Sequence, residues 1–376
     1  MFENLSHLAL QHYWWVLVSI LAALFVFLTF VQGGQTLLYS VGKTEGEKTI
    51  ILNTLGRKWE FTFTTLVTFG GAFFASFPLF YSTSFGGAYW VWLAILAAFV
   101  IQAVAYEYRK KPANLLGAKT FEIFLVLNGL LGTILIGTAV GTFFNGAMFS
   151  LNDLNQVDWH TPFRGLEAVL TFHNVALGLA VFFLARVLGA LYFIFTVEHE
   201  TIVTRSKKQL LYNTIPFLVF FLYFLIWLLL KEGFAVNPET GEVFMEKYKY
   251  LHNVLQMPLN SVILLTGVAG VLWGIISTLF MNSGKGFWFA GTGTVLTVFA
   301  LFLIAGFNNT AFYPSVYDLQ SSLTIQNASS SKFTLTAMSY VSLMIPFVLA
   351  YIVYFWRVMN RKKITEEEMQ EESHVY

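Results

Sequence analysis

The stretch from Trp59 to Tyr81, WEFTFTTLVTFGGAFFASFPLFY, decides the fold class of this chain. It is long and apolar enough to cross a bilayer, since a spanning helix needs about 20 predominantly apolar residues. A carboxylate, Glu60, lies one residue inside this stretch, and a Gly70-Gly71 pair lies midway. Because ionisable groups at membrane depth are costly, Glu60 is a candidate functional residue. The alternative is an acid in the first turn of a helix, stabilised there by the helix dipole.

The composition of the whole chain is that of a membrane protein. Of its 376 residues, 56% are hydrophobic and 11% are charged, against about 25% charged in soluble domains. The lack of cysteine excludes disulfides, thiolate metal sites, iron–sulfur clusters and covalent c-type haem. The net charge of +1 gives no indication of nucleic acid binding.

Nine apolar runs of spanning length predict an all-α, polytopic integral membrane protein that forms a single membrane domain over residues 1–376. The runs are Tyr13 to Tyr39, Trp59 to Tyr81, Ala88 to Tyr108, Phe121 to Phe144, Leu166 to Val197, Leu210 to Leu230, Leu259 to Met281, Phe287 to Phe307 and Leu335 to Trp356. The first and fifth exceed the membrane thickness, so we expect them to tilt or to project beyond it.

The positions of lysine and arginine predict the orientation of these helices. Most of the 22 basic residues fall in every second connection and in the C-terminal tail. Since cytoplasmic loops retain such residues, we expect the N-terminus outside and the C-terminus in the cytoplasm of a bacterial inner membrane. The N-terminus lacks the pattern of a cleaved signal peptide, and residues 358–376 are expected to form an acidic cytoplasmic tail.

Three ionisable side chains within the apolar runs are candidate buried polar groups: Arg186, His173 and Glu122. Arg186 needs a carboxylate, a carbonyl or water as its partner, and both a structural and a functional role are open. His173 has the residue type of a b-haem ligand. A bis-histidine haem needs a second histidine well inside a membrane run and the sequence offers none, so a hydrogen-bonded core histidine is the preferred interpretation.

Two further polar patterns have structural explanations. Gln32 and Gln35 lie three residues apart, and therefore on one face of the first helix, which favours hydrogen bonds to another helix across the Gly33-Gly34 contact. Glu198-His199-Glu200 contains metal-ligand residue types, but without a second cluster it is typical of a solvated helix end.

Several segments resemble subunit II of the cytochrome bd quinol oxidases, and together they run from the first helix to the last. The matching segments are Trp59-Glu60, Gly70-Gly71-Ala72 and Phe77-Pro78-x-x-Tyr81 in the second helix, Tyr106 to Lys110 after the third, Gly189-Ala190-x-Tyr192 with Thr196 in the fifth, and residues 312–356.

This resemblance implies a haem-free subunit of an enzyme that takes electrons from membrane quinol and reduces oxygen to water. Its fold would be two four-helix bundles, residues 1–146 and 164–307, with a peripheral ninth helix at 333–357. Haems b558, b595 and d and the quinol site would belong to the partner, subunit I. Small accessory subunits, and a structural quinone or lipid on subunit II, occur in some members.

The resemblance also implies that subunit II contributes to a proton path from the cytoplasm. Glu60 stands where the family has an Asp at the mouth of that path, and a partly desolvated carboxyl group can exchange protons near neutral pH. Gln32 and Gln35 replace two acids found in many members. Either Thr62, Thr64 and Thr65, with water, carry part of the path here, or the path runs mostly through subunit I.

A multi-pass secondary transporter is the alternative function. Arg186, Glu60 and the amide pair would then line a substrate path. Transporters are usually built from two repeats with matching helix breaks, and no inverted repeat is evident in the sequence. Co-purification of a haem-bearing chain distinguishes the two hypotheses.

Overall fold

The computed structural model describes residues 1–111, 114–361 and 363–364. The acidic tail expected at 358–376 lies mainly outside these residues, because the described part of the chain ends at Ile364.

The described residues are mostly helical, with two short β-hairpins. The helices are α1 (His7–Leu28), α2 (Phe30–Thr36), α3 (Leu38–Val41), α4 (Glu45–Gly56), α5 (Trp59–Ser76), α6 (Pro78–Phe80), α7 (Tyr89–Tyr108), α8 (Ala118–Asn145), α9 (Leu166–Val169), α10 (Phe172–Thr196), α11 (Glu200–Leu230), α12 (Lys249–Gln256), α13 (Pro258–Phe280), α14 (Gly286–Gly306), α15 (Lys332–Ser342) and α16 (Ile345–Met359). The strands are β1 (Phe149–Leu151), β2 (Val157–Trp159), β3 (Glu232–Val236) and β4 (Val243–Lys247), and each hairpin is antiparallel.

In the described residues, eight helices are long and apolar enough to span a membrane, and one bent helix pair makes a ninth candidate. The predicted all-α membrane fold is therefore confirmed, with nine spans when the bent pair counts as one. The pair joins Glu45–Ser76 to Pro78–Gly87 at an angle of 116°. Pro78 cannot continue a helix and disfavours helical geometry in the residue before it, and Phe77 accordingly has φ −131° and ψ 64°.

Several spans differ from the predicted runs at their ends. The fifth begins at Phe172 rather than Leu166, since Gly165 has φ +91° and Leu166–Val169 forms a separate turn. The sixth begins ten residues before Leu210, because the polar segment from Glu200 continues the same helix beyond the apolar run.

The two ends of the helix bundle differ in charge and structure. We call the end that carries residues 42–58, 109–111, 114–117, 197–208, 281–285, 357–361 and 363–364 the basic end. The opposite hairpin end carries both hairpins and residues 307–331, which pair through isolated bridges with Ala147 and Ala235. The two hairpins were not predicted from the sequence.

Glycines allow α2 to pack closely between α10 and α8. A Cβ atom on Gly33 would lie 1.9 Å from the Ala185 carbonyl oxygen of α10, and one on Gly129 of α8 would lie 2.3 Å from the Gln32 carbonyl oxygen. Such close approach between membrane helices depends on small residues. Since α10 packs against α2 and α8 as well as α11, helices from both expected bundles are in direct contact, and the division at residues 146 and 164 stays a prediction.

Candidate functional site: a buried polar column

A column of polar side chains runs inward from the basic end between α2, α3, α7 and α8. We call it the polar column, and its members are Gln32, Gln35, Tyr39, Gln102, Tyr106, Arg109, Glu122 and Asn128. Gln32, Gln35 and Tyr39 are spaced i, i+3, i+7, so they lie on one helix face. Gln102, Tyr106 and Arg109 are spaced i, i+4, i+7 and lie on one face of the next helix that lines the column. Glycines of α2 face α10, and the amide side chains of Gln32 and Gln35 face α7.

The outer part of the polar column is an ion-pair network around Glu122, which is 2% exposed. One carboxylate oxygen accepts hydrogen bonds from Arg109 Nη2 at 2.7 Å and Nε at 3.2 Å. The other accepts from the Tyr39 hydroxyl at 3.0 Å and lies 3.5 Å from Lys48 Nζ. Lys48 in turn pairs at 2.7 Å with Glu45, which is 76% exposed. The network therefore connects a buried carboxylate to the surface through alternating charges.

The Tyr39 hydroxyl is a hydrogen-bond donor within this network. It follows the first span, which ends at Thr36. Burial, followed by the hydrogen bond to the Glu122 carboxylate, raises the pKa of Tyr39 to about 12. The hydroxyl therefore stays protonated at neutral pH and holds a hydrogen bond toward Glu122.

The inner part of the polar column contains amides and a phenol. Gln35 Nε2 donates to the Tyr106 hydroxyl at 3.1 Å, and Gln32 Nε2 donates to Gln102 Oε1 at 3.2 Å. Asn128 donates to the Ala98 carbonyl oxygen at 2.9 Å. From Tyr39 to Gln32 these groups extend about 10 Å inward at 1.5 Å per residue, which is roughly a third of the hydrocarbon thickness.

Four buried atoms of the inner part lack a hydrogen-bond partner among the described residues. They are Gln32 Oε1, Gln35 Oε1, Gln102 Nε2 and Asn128 Oδ1. Buried polar atoms are normally satisfied by protein or by water, so three acceptors and one donor in one column give it the capacity to bind water molecules. Such a mixed chain of side chains and water is suited to proton transfer.

An apolar cluster closes the inner end of the polar column. Phe25, Val91, Ile95, Phe99 and Ile136 pack together about one to three turns farther from the basic end than the amides. On the side toward α5, the Trp59 ring stacks on the Tyr106 ring, with centroids 5.8 Å apart and an interplanar angle of 15°. A proton that reached Gln32 would therefore have to leave sideways rather than straight across.

The structure places Glu60 apart from Gln32 and Gln35. Glu60 is exposed on α5 and has no hydrogen-bond or ion-pair partner in the described parts of the chain. Lys58, two residues before Glu60, lies over the Trp356 ring, 4.9 Å from the centroid. Glu60 therefore lies on an outer surface of this subunit.

Thr62 and Thr65 make local structural hydrogen bonds. Thr62 Oγ1 donates to the Leu28 carbonyl oxygen of α1 at 3.1 Å, and Thr65 Oγ1 donates to the Phe61 carbonyl oxygen of its own helix at 2.7 Å. Neither hydroxyl connects Glu60 to the polar column.

Arg186 is held by neutral groups of neighbouring helices. Its Nε donates to Asn213 Oδ1 of α11 at 2.6 Å, and Nη1 donates to the Thr36 hydroxyl at 3.0 Å and carbonyl oxygen at 3.2 Å. None of the carboxylates in the described ranges is within ion-pair distance of it. The guanidinium thus ties α10 to α2 and α11 next to the polar column.

His173 lies in an aromatic and polar contact at the start of α10. Its Nδ1 is 2.7 Å from the Tyr223 hydroxyl, and its ring stacks on Trp227 with centroids 4.0 Å apart. Within residues 1–111, 114–361 and 363–364, no group of three or more His, Asp or Glu side chains could hold a metal ion, and this includes Glu198-His199-Glu200.

Sequence reasoning selected Gln32, Gln35 and Glu122 but not their partners. Gln102, Tyr106 and Arg109 were missed, although their i, i+4, i+7 spacing places them on one face of an otherwise apolar helix, as the i, i+3, i+7 spacing does for Gln32, Gln35 and Tyr39. Two polar stripes, one at the end of the first apolar run and one at the end of the third, were the available signal.

Comparisons with known proteins agree over nearly the full length. The family model "Cytochrome bd terminal oxidase subunit II" matches residues 10–359. The chain is 28% identical over 365 residues to a probable cytochrome oxidase subunit 2 of Haemophilus influenzae, covering 93% of this chain and 94% of the relative. It is 26% identical over 387 residues to cytochrome bd-I ubiquinol oxidase subunit 2 of Escherichia coli, covering 97% and 98%.

A solved structure supports the fold. The bd oxidase of Geobacillus thermodenitrificans contains a chain that superposes with a TM-score of 0.65 at 11% identity, covering 94% of this chain and 100% of that one. At this identity the likeness concerns the fold alone.

Proposed function

Because this chain belongs to the cytochrome bd terminal oxidase subunit II family, we propose that it conducts protons through the polar column to the oxygen-reducing partner subunit. The family membership makes the chain a subunit of a membrane quinol oxidase of aerobic respiration, and it favours this function over the transporter alternative. In the proposed assembly this chain is haem-free, the haems b558, b595 and d reside on subunit I, and the basic end faces the bacterial cytoplasm.

The observation that carries the proposal is the Glu122 network together with the four buried polar atoms of the inner part, which lack a hydrogen-bond partner among the described residues. Oxygen reduction to water consumes protons, and they must cross hydrocarbon to reach a buried haem. Glu122 connects to the surface through Lys48 and Glu45, and Tyr39, Gln35 and Tyr106 continue inward. In the proposed path, water bound to the unsatisfied atoms links these hydrogen-bonded pairs, and such a series of donors and acceptors lowers the cost of moving a charge through a low-dielectric region.

The exit of this path is proposed to lie on the outer face of α5, which subunit I would cover. Glu60, Thr64, Thr68 and Gly71 form an exposed stripe spaced i, i+4, i+8 and i+11. A carboxylate facing lipid is costly, whereas threonine and glycine are common where membrane helices pack on one another. Trp59 separates this stripe from Tyr106, so a proton leaving the polar column sideways passes α5.

Replacing Gln102 with leucine is expected to slow quinol-driven oxygen uptake about three- to tenfold, because the leucine removes a hydrogen-bonding step of the polar column, and a tenfold change needs only about 1.4 kcal/mol of barrier. The measurement is oxygen consumption per haem d in the purified complex. The control is Asn260→Leu, which removes a buried amide that donates to the Ala300 carbonyl oxygen outside the column. Equal slowing in both variants would show a general packing effect and reject the column.

Replacing Glu60 with glutamine is expected to slow oxygen reduction while leaving the haem content intact, because the amide keeps the shape but cannot carry a proton. The matched control is Glu107→Gln, a carboxylate at the basic end that is 60% exposed and pairs with Lys111. Unchanged turnover of the Glu60 variant would contradict a proton-carrying role for Glu60. It would leave the prediction for Gln102 untested.

A further inference from the structure

One face of α7 changes from polar to apolar partway along the helix. Gln102, Tyr106 and Arg109 line the polar column on this face. The residues one and two turns earlier on the same face are Phe99 and Ile95, which are both buried. These two belong to the apolar cluster at the inner end of the column. The boundary between polar and apolar packing on α7 therefore lies between Gln102 and Phe99.

The apolar cluster begins directly beside the amides of the polar column. A Cβ atom on Gly132 of α8 would lie 3.2 Å from the Phe99 ring and 3.5 Å from Asn128 Nδ2, so the ring and the amide are next to each other. Ile136 is one turn farther along α8, and it packs with Phe99 and with Phe25 of α1. These three apolar side chains therefore separate the last amide from the rest of the bundle interior.

A small cavity of about 40 Å³ lies on the other side of Phe25 and Ile136. Of the residues that line it, Ser84 and Trp92 alone carry a polar side-chain atom. Those two atoms are already paired, since Trp92 Nε1 donates to Ser84 Oγ at 3.3 Å. The cavity is large enough for water, but cavities with apolar walls stay dry. Water in this cavity therefore does not extend the polar column.

A second group of polar atoms lies beyond this cavity, at the hairpin end. Trp159 of β2 holds the group together, because a Cβ atom on Gly87 would lie 2.1 Å from its Nε1 and one on Gly165 would lie 3.0 Å from its ring. The Gly165 backbone nitrogen donates to Glu167 Oε1 at 3.1 Å. Four buried atoms of the group lack a hydrogen-bond partner among the described residues, and we call them the outer polar site: Thr83 Oγ1, Trp159 Nε1, Glu167 Oε2 and Thr171 Oγ1.

The outer polar site extends from the surface of the hairpin end into the bundle. Glu167 and Thr171 are half-buried, whereas Thr83 is fully buried and precedes Ser84 of the cavity wall. Three oxygen atoms and one N–H group without protein partners can bind water, as the amides of the column can. Val169, two residues after Glu167, belongs to the apolar cluster. The cluster therefore separates two polar regions that open toward opposite ends of the bundle.

We propose that the apolar cluster is a proton seal between the polar column and the outer polar site, and that Phe99 and Ile136 hold it closed. This inference rests on the proposed function, since only a column that carries protons has to be sealed. In that function protons enter from the basic end, so each turnover separates charge across the membrane. Water continuous between the two polar regions would let protons return without oxygen reduction. A dry apolar layer prevents this, because a charge within it is costly.

The test is the passive proton conductance of the complete oxidase in proteoliposomes. An enclosed pH-sensitive dye reports proton entry under a potassium diffusion potential, with no quinol present. Ile136→Asn places an amide between Asn128 and the cavity, and the leak should rise at least about tenfold, which needs a barrier lower by only about 1.4 kcal/mol. The matched control is Ile275→Asn, a buried residue of α13 outside the apolar cluster. Wild-type conductance in the Ile136 variant, or an equal rise in both, would overturn the proposal.

A milder pair of substitutions keeps the test available should the asparagine variant fail to assemble. Phe99→Leu with Ile136→Thr shortens the ring beside Asn128 and adds one hydroxyl, and it should also raise the conductance at least about tenfold. Phe221→Leu with Ile275→Thr makes the same two changes at buried positions of α11 and α13 outside the cluster and should behave as wild type. A tight membrane in the Phe99 variant contradicts the seal.

Second-site variants distinguish a failure of the seal from a failure of the proposed function. Adding Glu122→Gln or Glu167→Gln to Ile136→Asn should remove most of the added conductance, because each takes a carboxylate from one of the two polar regions. Added conductance that persists in both double variants runs elsewhere, and the seal is then rejected. If Glu122→Gln alone slows turnover while Ile136→Asn does not leak, the seal fails and the polar column stands.

Discussion

Oxygen reduction in the Glu122→Gln variant is expected to be about tenfold slower than in wild type, at unchanged haem content. Glutamine keeps hydrogen-bond contact with Tyr39 and Arg109 but cannot take up and release a proton. It also leaves Arg109, whose side chain is 4% exposed, with the more distant Glu45 carboxylate at 3.9 Å. The measurement is quinol-driven oxygen consumption per haem d at saturating quinol.

The loss of charge in this variant also has a structural cost, which the controls must separate from catalysis. Removing one partner of a buried ion pair destabilises a protein by about 3 to 5 kcal/mol, so Glu122→Leu is expected to reduce assembly of the complex. Glu122→Asp keeps the carboxylate and should recover most of the turnover. If Asp and Gln variants turn over equally, a proton-carrying role for Glu122 is contradicted.

Gly33→Ala is expected to prevent accumulation of the complex, with the largest effect on assembly of any alanine substitution considered. The new Cβ would meet the Ala185 carbonyl oxygen at 1.9 Å and the Arg186 nitrogen at 2.5 Å. Both are backbone atoms that cannot rotate away, so α2 and α10 must separate. That movement would also draw Thr36 away from Arg186. The amount of intact complex in membranes and its thermal midpoint are the measurements.

Two other glycines provide a graded control for this prediction. A Cβ on Gly34 would meet the side-chain ends of Leu55 at 2.7 Å and Phe193 at 3.1 Å, which can rotate, so Gly34→Ala should cost about 1 to 3 kcal/mol. Gly284 has no atom within 4 Å of the added Cβ, so its alanine variant should behave as wild type. An intact Gly33→Ala complex with wild-type thermal midpoint would show that the α2–α10 packing described here is wrong.

The membrane fold was predictable because hydropathy alone identifies spanning helices. The helix break at Phe77 and Pro78 was not predicted, although Pro78 is visible in the sequence. Hydropathy identifies an apolar run as one spanning segment whether or not the helix bends within it. The hairpins β1–β2 and β3–β4 lie in polar loops, where pairing depends on the rest of the hairpin end rather than on apolar periodicity.

The polar column was only partly predictable. The three-residue spacing placed Gln32 and Gln35 on one helix face, and the free-energy cost of burying an ionisable group in the membrane made Glu122 a candidate. Neither argument identifies which helices pack against each other. Glu60 was grouped with Gln32 and Gln35 because the family resemblance assigns all three positions to one proton path. In the structure the Glu60 side chain is exposed on the outer face of α5. The spacing could place Arg109 on the polar face of its helix, but it could not identify the partner, since Glu122 is thirteen residues farther along the chain in another helix.

Proton uptake during the reaction with oxygen tests the central claim most directly. A pH-indicator dye would follow uptake in a single turnover of the fully reduced complex, for wild type, Glu122→Gln and the control Glu107→Gln. The polar column predicts that uptake slows about tenfold in the Glu122 variant, by the same factor as turnover, and stays at the wild-type rate in the control. Wild-type uptake in Glu122→Gln would contradict a proton path through this chain.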